Sequence, residues 1–188
     1  MKRSFGAKTL TYPTPTWIVG SYDAKGRPNG MTAAWGGICC SEPPCVAVSL
    51  RKATYSYGNL LERRAFTVSV PTASQVKEAD YFGLVSGRDT DKFAATGWTP
   101  TRSDLVDAPY VQDCPLVLEC KVVHVFELGL HSQFVGQILD VKADEAVLDD
   151  AGMPDIQKVL PIIFSPGNRE YYGVGASLGH AFAVGKEI

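Results

Sequence analysis

The stretch Pro28-Asn-Gly-Met-Thr-Ala-Ala-Trp35-Gly-Gly-Ile-Cys-Cys40-Ser-Glu-Pro-Pro-Cys45-Val-Ala-Val-Ser49-Leu-Arg51-Lys52 decides how the rest of the chain reads. Two short apolar runs joined by a proline turn read as strands, and each ends in small polar or cationic groups. Asn29, Thr32 and Trp35 on the first run, with Ser49, Arg51, Thr54 and Ser56 after the second, supply an aromatic plane, amide and hydroxyl donors, and a cation. Those are the groups that a planar, phosphate-bearing ligand requires.

Outward from this stretch the strand pattern continues. Thr16 to Tyr22 is apolar and β-rich, Asp23 to Pro28 turns with Gly26 available for positive φ, and Met31 to Cys40 returns as the second arm of a hairpin. Cys45 to Leu50 reads as a strand, and Thr54 as the N-cap of a short helix over Tyr55 to Arg63. Phe66, Val68 and Val70 alternate with Thr67 and Ser69, which predicts a half-buried strand. Between Ser74 and Thr96 the apolar spacing turns helical, and Asp89, Thr90 and Asp91 precede a second short helix. From Leu116 the even positions to Leu128 are largely apolar against Glu119, Lys121 and Glu127, a long strand with one wet face, and His131 to Val141 runs back beside it. A short piece over Asp155 to Val159 and a glycine-punctuated aromatic tail follow. Mostly antiparallel strands with a few short helices predict a mainly β fold, a barrel or a sandwich, in a single domain over residues 1–188.

The 188 residues suffice to bury roughly 70% of the unfolded surface around one core. Hydrophobic residues are 45% and charged residues 20% of the chain, which sets it apart from disordered sequences. A formal net charge of -2 and a pI near 5.9 give no broad basic face, so neither nucleic acid nor an anionic membrane is the expected partner. No run reaches the roughly 20 apolar residues of a membrane span, and the start lacks the apolar stretch of a secretory signal, so the expected location is cytoplasmic. Five cysteines without a Cys-x-x-Cys pair read as reduced thiols, with neither a disulfide framework nor a metal site.

Neither Gly-x-Gly-x-x-Gly nor a Walker loop occurs, so an anion needs another seat. Ser49, Arg51, Lys52, Thr54 and Ser56 place hydroxyls and cations where a strand end feeds a helix N-terminus. Trp35, among Thr32, Ala33, Ala34, Gly36 and Gly37, either fills the core or offers a stacking plane. Asn29 is a turn residue or a ligand group, and Lys92 is either solvated or turned toward the site. His131 and Phe164 divide in the same way between structural and ligand-facing roles. Cys39 and Cys40, adjacent on an extended strand, should point to opposite faces, with Cys40 as a wall of the ligand cavity. No Gly-x-Ser-x-Gly signal and no histidine spacing suited to a metal are present, which removes hydrolase and metalloenzyme readings and leaves no assigned catalytic residue.

Asn-Gly-Met-Thr-Ala-Ala-Trp (29–35), Pro-Pro-Cys-Val-Ala-Val-Ser-Leu-Arg-Lys (43–52), Thr-Tyr-Ser-Tyr-Gly-Asn (54–59), Asp-Lys-Phe (91–93), His131-Ser-Gln-Phe and the late Tyr-Tyr-Gly-Val-Gly together resemble the flavin reductase-like, FMN-binding split-barrel family. The resemblance implies a split β-barrel of Greek-key-like antiparallel type, a homodimer with one non-covalent FMN per subunit near the interface. It implies that Asn29, Thr32 and Trp35 border the isoalloxazine, that Ser49, Arg51, Thr54 and Ser56 serve the phosphate and ribityl chain, and that Lys92, His131 and Phe164 complete the pocket. It further implies an electron-carrying flavoprotein that meets a redox protein. The alternatives are an NAD(P)H-dependent flavin reductase and a flavin-binding module without turnover.

Overall fold

The computed structural model describes residues 1–188, the side chain of residue 187 excepted. Along the chain run β1 (Thr14–Pro15), β2 (Trp17–Tyr22), β3 (Pro28–Ala33), β4 (Gly36–Ser41), β5 (Pro44–Arg51), α1 (Tyr55–Arg63), β6 (Ala65–Val70), α2 (Val76–Leu84), α3 (Lys92–Thr96), β7 (Pro100–Arg102), β8 (Pro109–Val111), β9 (Leu116–Leu128), β10 (His131–Ala143), α4 (Ile156–Val159), β11 (Ile163–Ser165) and β12 (Glu170–Tyr172). A 7-stranded antiparallel sheet has the order β3-β2-β6-β9-β10-β5-β4, and two small sheets, β1-β11-β12 and β7-β8, lie beside it.

The two edge strands of the large sheet, β3 and β4, are neighbours in the chain, separated only by Ala34 and Trp35. A sheet whose opposite edges are tied by so short a link has to curl until they meet. The interior it encloses holds Val19, Ala33, Val46, Val48, Phe66, Val68, Val122 and Phe134, drawn from strands all round the sheet, with Leu60 of α1 as a plug. Each valine, leucine or phenylalanine among them contributes roughly 1.5 to 3 kcal/mol on burial. One sheet closing on itself decides for the barrel over the sandwich.

Three expectations change. Met31 to Cys40 is not one returning arm: its first part pairs with β2, and its second crosses to pair with β5 on the other edge. The break falls at Ala34-Trp35, where closure demands a change of partner.

All six residues of β6 are buried, although alternation predicts a wet face. Phe66 and Val68 fill the barrel, while Thr67 Oγ1 donates to Pro109 O at 2.6 Å and Ser69 Oγ accepts from Val111 N at 3.0 Å. The hydroxyls satisfy the backbone of β8, which lies over them, so polar periodicity here marks a buried contact and not solvent.

The third change concerns β9. Val122 faces Gly136 and His124 faces Val135, so a bulge at Val123 reverses the facing of the strand. Val125 turns inward, and His124, Phe126 and Leu128 turn out to solvent. Glu119, on the face expected to be wet, is 0% exposed, and its Oε2 accepts from Lys142 Nζ at 2.6 Å.

Candidate functional site

At the start of α1 the backbone of Thr54 is extended, yet its hydroxyl does not cap the helix. Thr54 Oγ1 donates to Arg51 O at 2.8 Å, and Thr54 N donates to the same carbonyl at 2.9 Å. The leading amides of α1 therefore keep no side-chain acceptor, the condition under which a helix start favours an anion. At the second residue of the helix, Ser56 is 1% exposed and its Oγ accepts from Asn29 Nδ2 at 2.8 Å. Asn29 Nδ2 also reaches Ser21 Oγ at 3.3 Å, and Asn59 Nδ2 donates to that oxygen at 3.1 Å. This buried polar set locks β2, β3 and α1 together beneath the helix start.

The opposite wall is the segment between α2 and α3. A Cβ on Gly87 would lie 2.0 Å from Asn29 Oδ1 and 3.1 Å from Tyr55 Cδ1, so only glycine brings the segment this close. The Arg88 guanidinium sits over the Tyr55 ring at 5.5 Å and donates to Ala53 O at 3.1 Å. Tyr55 OH donates in turn to Asp23 Oδ2 at 2.9 Å. Burial pushes the Asp23 carboxyl up, but the hydrogen bonds from Arg27, Tyr55 and Lys25 outweigh it and hold its pKa at about 2.

Lys92 opens α3, whose N-cap Asp91 accepts from Ala94 N at 3.0 Å. Its side chain is 5% exposed, with Nζ donating to Gly30 O at 2.9 Å and to Phe82 O at 2.7 Å. Phe82 O belongs to the last turn of α2, whose carbonyls lack helical N–H donors, so the ammonium joins α2, α3 and β3. Desolvation lowers the Lys92 pKa to about 8. Thr32 Oγ1 donates to Ala79 O, a second tie between β3 and α2.

Asn29, Thr32, Thr54, Ser56 and Lys92 line one cleft of about 240 Å³. It adjoins a recess of about 220 Å³ beside Arg27, Tyr55 and Arg88. Ser49, Arg51 and His131 lie outside this cleft but next to it. They share the outer face of β5 and β10, where His131 is register partner to Arg51, and Arg51 O is the acceptor that holds Thr54. Trp35 joins this set through its carbonyl, which accepts from Ser49 N at 2.8 Å.

Cys40 and Phe164 lie elsewhere. Cys40 borders a separate cleft with Cys39 and Cys45. The two adjacent cysteines share that cleft, contrary to the opposite facing expected of an extended strand, because the register of β4 shifts between Ile38 and Cys40. Phe164 stands opposite Thr14 in the small sheet, with its ring 5.7 Å from that of Tyr171.

Sequence reasoning missed Tyr55, Gly87 and Arg88. Besides buried Lys92, the cation that lines the cleft is Arg88, whereas Lys52 pairs with Glu127. Nothing local marks Arg88, which reaches Tyr55 from the far side of α2; a glycine between two polar neighbours, Ser86 and Arg88, is the one cue. Among the described residues no group of His, Cys, Asp and Glu is placed to hold a metal ion, and no helix is long and apolar enough to cross a membrane. Hydroxyls, an amide, open helix amides, an arginine and an aromatic ring together suit a phosphorylated, partly aromatic ligand.

The family profile described as flavin reductase like domain matches residues 9–171. The solved flavoredoxin of Desulfovibrio vulgaris (Miyazaki F) is 56% identical, covering 98% of this chain and 100% of that one with a TM-score of 0.95. Flavoredoxin from Methanosarcina acetivorans is 31% identical over 100% of this chain and 97% of its own, with a TM-score of 0.89. An FMN-binding protein from Thermus thermophilus is 25% identical over 95% and 99%, with a TM-score of 0.81.

Proposed function

The chain belongs to the flavin reductase-like family, and from that membership we propose that it holds FMN non-covalently in the cleft at the start of α1 and carries electrons between redox partners. The observation that carries this reading is the uncapped first turn of α1, set beside buried Ser56 and Asn29 and facing Arg88 across one cleft. The donor set fits a flavin phosphate, and Gly87 lets the Arg88 segment close against Asn29 and Tyr55, where any side chain would collide.

In this assignment the helix amides, Thr54, Ser56 and Arg88 hold the phosphate, with Ser49 and Arg51 at its margin. Asn29 orients Ser56, and Trp35 supplies a stacking plane for the ring beside His131. Lys92 holds the wall of the cleft through two carbonyls and places a buried positive charge behind it. Phe164 and Cys40 have no part in this cleft. When bound, FMN supplies reversible uptake and release of electrons, and the surrounding charges set its potential. The protein acts as a homodimer in this reading, supported by Leu128 and Leu130 at the β9–β10 turn and by Leu178 and Phe182 near the end of the chain, all exposed. Five free thiols suit the cytoplasm.

A second reading, an NAD(P)H-dependent flavin reductase, is favoured by the family profile itself. Anaerobic mixing of the FMN-loaded protein with NADH, NADPH and reduced iron–sulfur or haem proteins, followed by flavin absorbance, separates the two. Bleaching by redox proteins alone supports the carrier, and rapid bleaching by a nicotinamide supports the reductase. No bleaching by either contradicts both and leaves a binding module.

A further inference from the structure

The cysteines on the other side of the barrel form a group that flavin binding does not use. The β4–β5 hairpin turns at Glu42 and Pro43, with Ser41 opposite Pro44 and Cys40 directly opposite Cys45. Residues so opposed in an antiparallel pair have Cα atoms about 4.5 to 5.5 Å apart, within the roughly 4.4 to 6.8 Å that a disulfide bridges. Cys39 is the extra residue of the bulge, and Cys39, Cys40 and Cys45 all line one cleft of about 480 Å³ beside His124 and Phe126. Cys40 is exposed and its thiol donates to Glu42 O at 3.3 Å, whereas Cys45 is 5% exposed.

We propose that Cys40 and Cys45 are a reversible dithiol–disulfide site, oxidised by low-molecular-weight disulfides that enter through this cleft. The two thiols divide the work by access. Cys40 meets the incoming disulfide, and Cys45, sheltered from solvent, meets Cys40 directly across the strand pair, with the Cys39 thiol also close by. Burial and the neighbouring Cys40 push the Cys45 thiol up, which keeps it quiet toward bulk oxidants. Cys114 and Cys120 do not line this cleft; burial pushes both thiols far up, with Cys45 a further charge neighbour of Cys120, and neither takes part.

The exchange balances. Cys40 thiolate attacks one sulfur of R–S–S–R, forming Cys40–S–S–R and releasing RS⁻. Cys45, losing its proton, then attacks the Cys40 sulfur, forming the intrachain bond and releasing a second RS⁻. Two protein thiols are oxidised, one small disulfide is reduced to two thiols, and the protein's two protons pass through solvent to the released thiolates. The bond closes a very short loop, so it adds little constraint on the unfolded chain, and excess thiol reopens it from the exposed Cys40 side.

The test uses the full chain incubated with oxidised glutathione. Free thiols counted after denaturation fall by two from the five of the reduced chain, intact mass falls by two hydrogen atoms, and fragmentation of the tryptic peptide running to Arg51 places the bond between Cys40 and Cys45. Dithiothreitol restores all thiols. Cys39→Ser behaves like the wild type. Cys40→Ser, a change at an exposed position, forms no intrachain bond, and Cys45→Ala stops at a glutathione adduct on Cys40. A wild-type chain that keeps all its thiols, stops at a glutathione adduct, bonds through Cys39, or crosslinks to a second chain overturns the proposal.

Discussion

Replacing Lys92 by Met removes Nζ from Gly30 O and Phe82 O while keeping an unbranched side chain of similar length. Two hydrogen bonds from a charged group are worth about 3 to 6 kcal/mol together, at roughly 1.5 to 3 each. Against this stands the burial of the ammonium. Lowering its pKa from 10.5 to about 8 corresponds to at most about 3 kcal/mol, less whatever solvent at the cleft mouth screens. With the full penalty set against the bonds, the net loss in Lys92→Met is then about 0 to 3 kcal/mol at neutral pH, read by urea unfolding of the flavin-free protein. The pH dependence is more telling than the size. Below the folded pKa both states carry the proton, and between about 8 and 10.5 the folded state has released it while the unfolded state keeps it. The contribution of Lys92 is therefore complete above the unfolded value and is lost as pH falls through the folded one. Wild type gains stability over Lys92→Met as pH rises through this window. A gap that stays flat or narrows refutes the burial argument and leaves the carbonyls as the stronger influence on the ammonium.

Gly87→Ala drives a methyl group onto Asn29 and Tyr55, and overpacking of about 1 to 3 kcal/mol placed on the cleft wall weakens FMN binding about 10- to 100-fold in a fluorescence titration. Unchanged affinity removes the cleft from the site. Trp35→Ala costs about 0.5 to 1.5 kcal/mol of FMN affinity beyond lost area if the indole stacks on the ring, and equal affinity for wild type and variant denies it that role. Asp23, with its pKa lowered from 3.8 to about 2, stabilises the fold above the unfolded value and loses that contribution as pH falls from about 4 to 2. Acid titration of unfolding should show wild type converging on Asp23→Asn across that interval; parallel curves contradict it.

Strands and short helices were legible because their signals are local, apolar β-rich runs for β2 and β5 and Asp91 ahead of α3, whereas the pattern alone left barrel and sandwich open and only the closure of the sheet decides. What the sequence hid depends on partners far along the chain. Thr67 and Ser69 carry the same polarity whether they meet water or the backbone of β8, and only tertiary packing decides. A bulge changes no residue type, so the facing of Phe126 and the common side of Cys39 and Cys40 could not be read from alternation. At the site, Asn29, Thr32, Thr54, Ser56 and Lys92 were found together, and Arg88 was missed because two helices and a strand separate it from its partner Tyr55 in sequence.

The central claim is that the cleft between the start of α1 and Gly87-Arg88 holds a flavin phosphate. Titrating flavin-free protein with FMN and with riboflavin, for wild type and Arg88→Ala, tests it most directly. The account predicts that wild type binds FMN well ahead of riboflavin, and that Arg88→Ala loses most of that preference while binding riboflavin as before. Equal affinity of the wild type for the two flavins, or a preference untouched in Arg88→Ala, contradicts it.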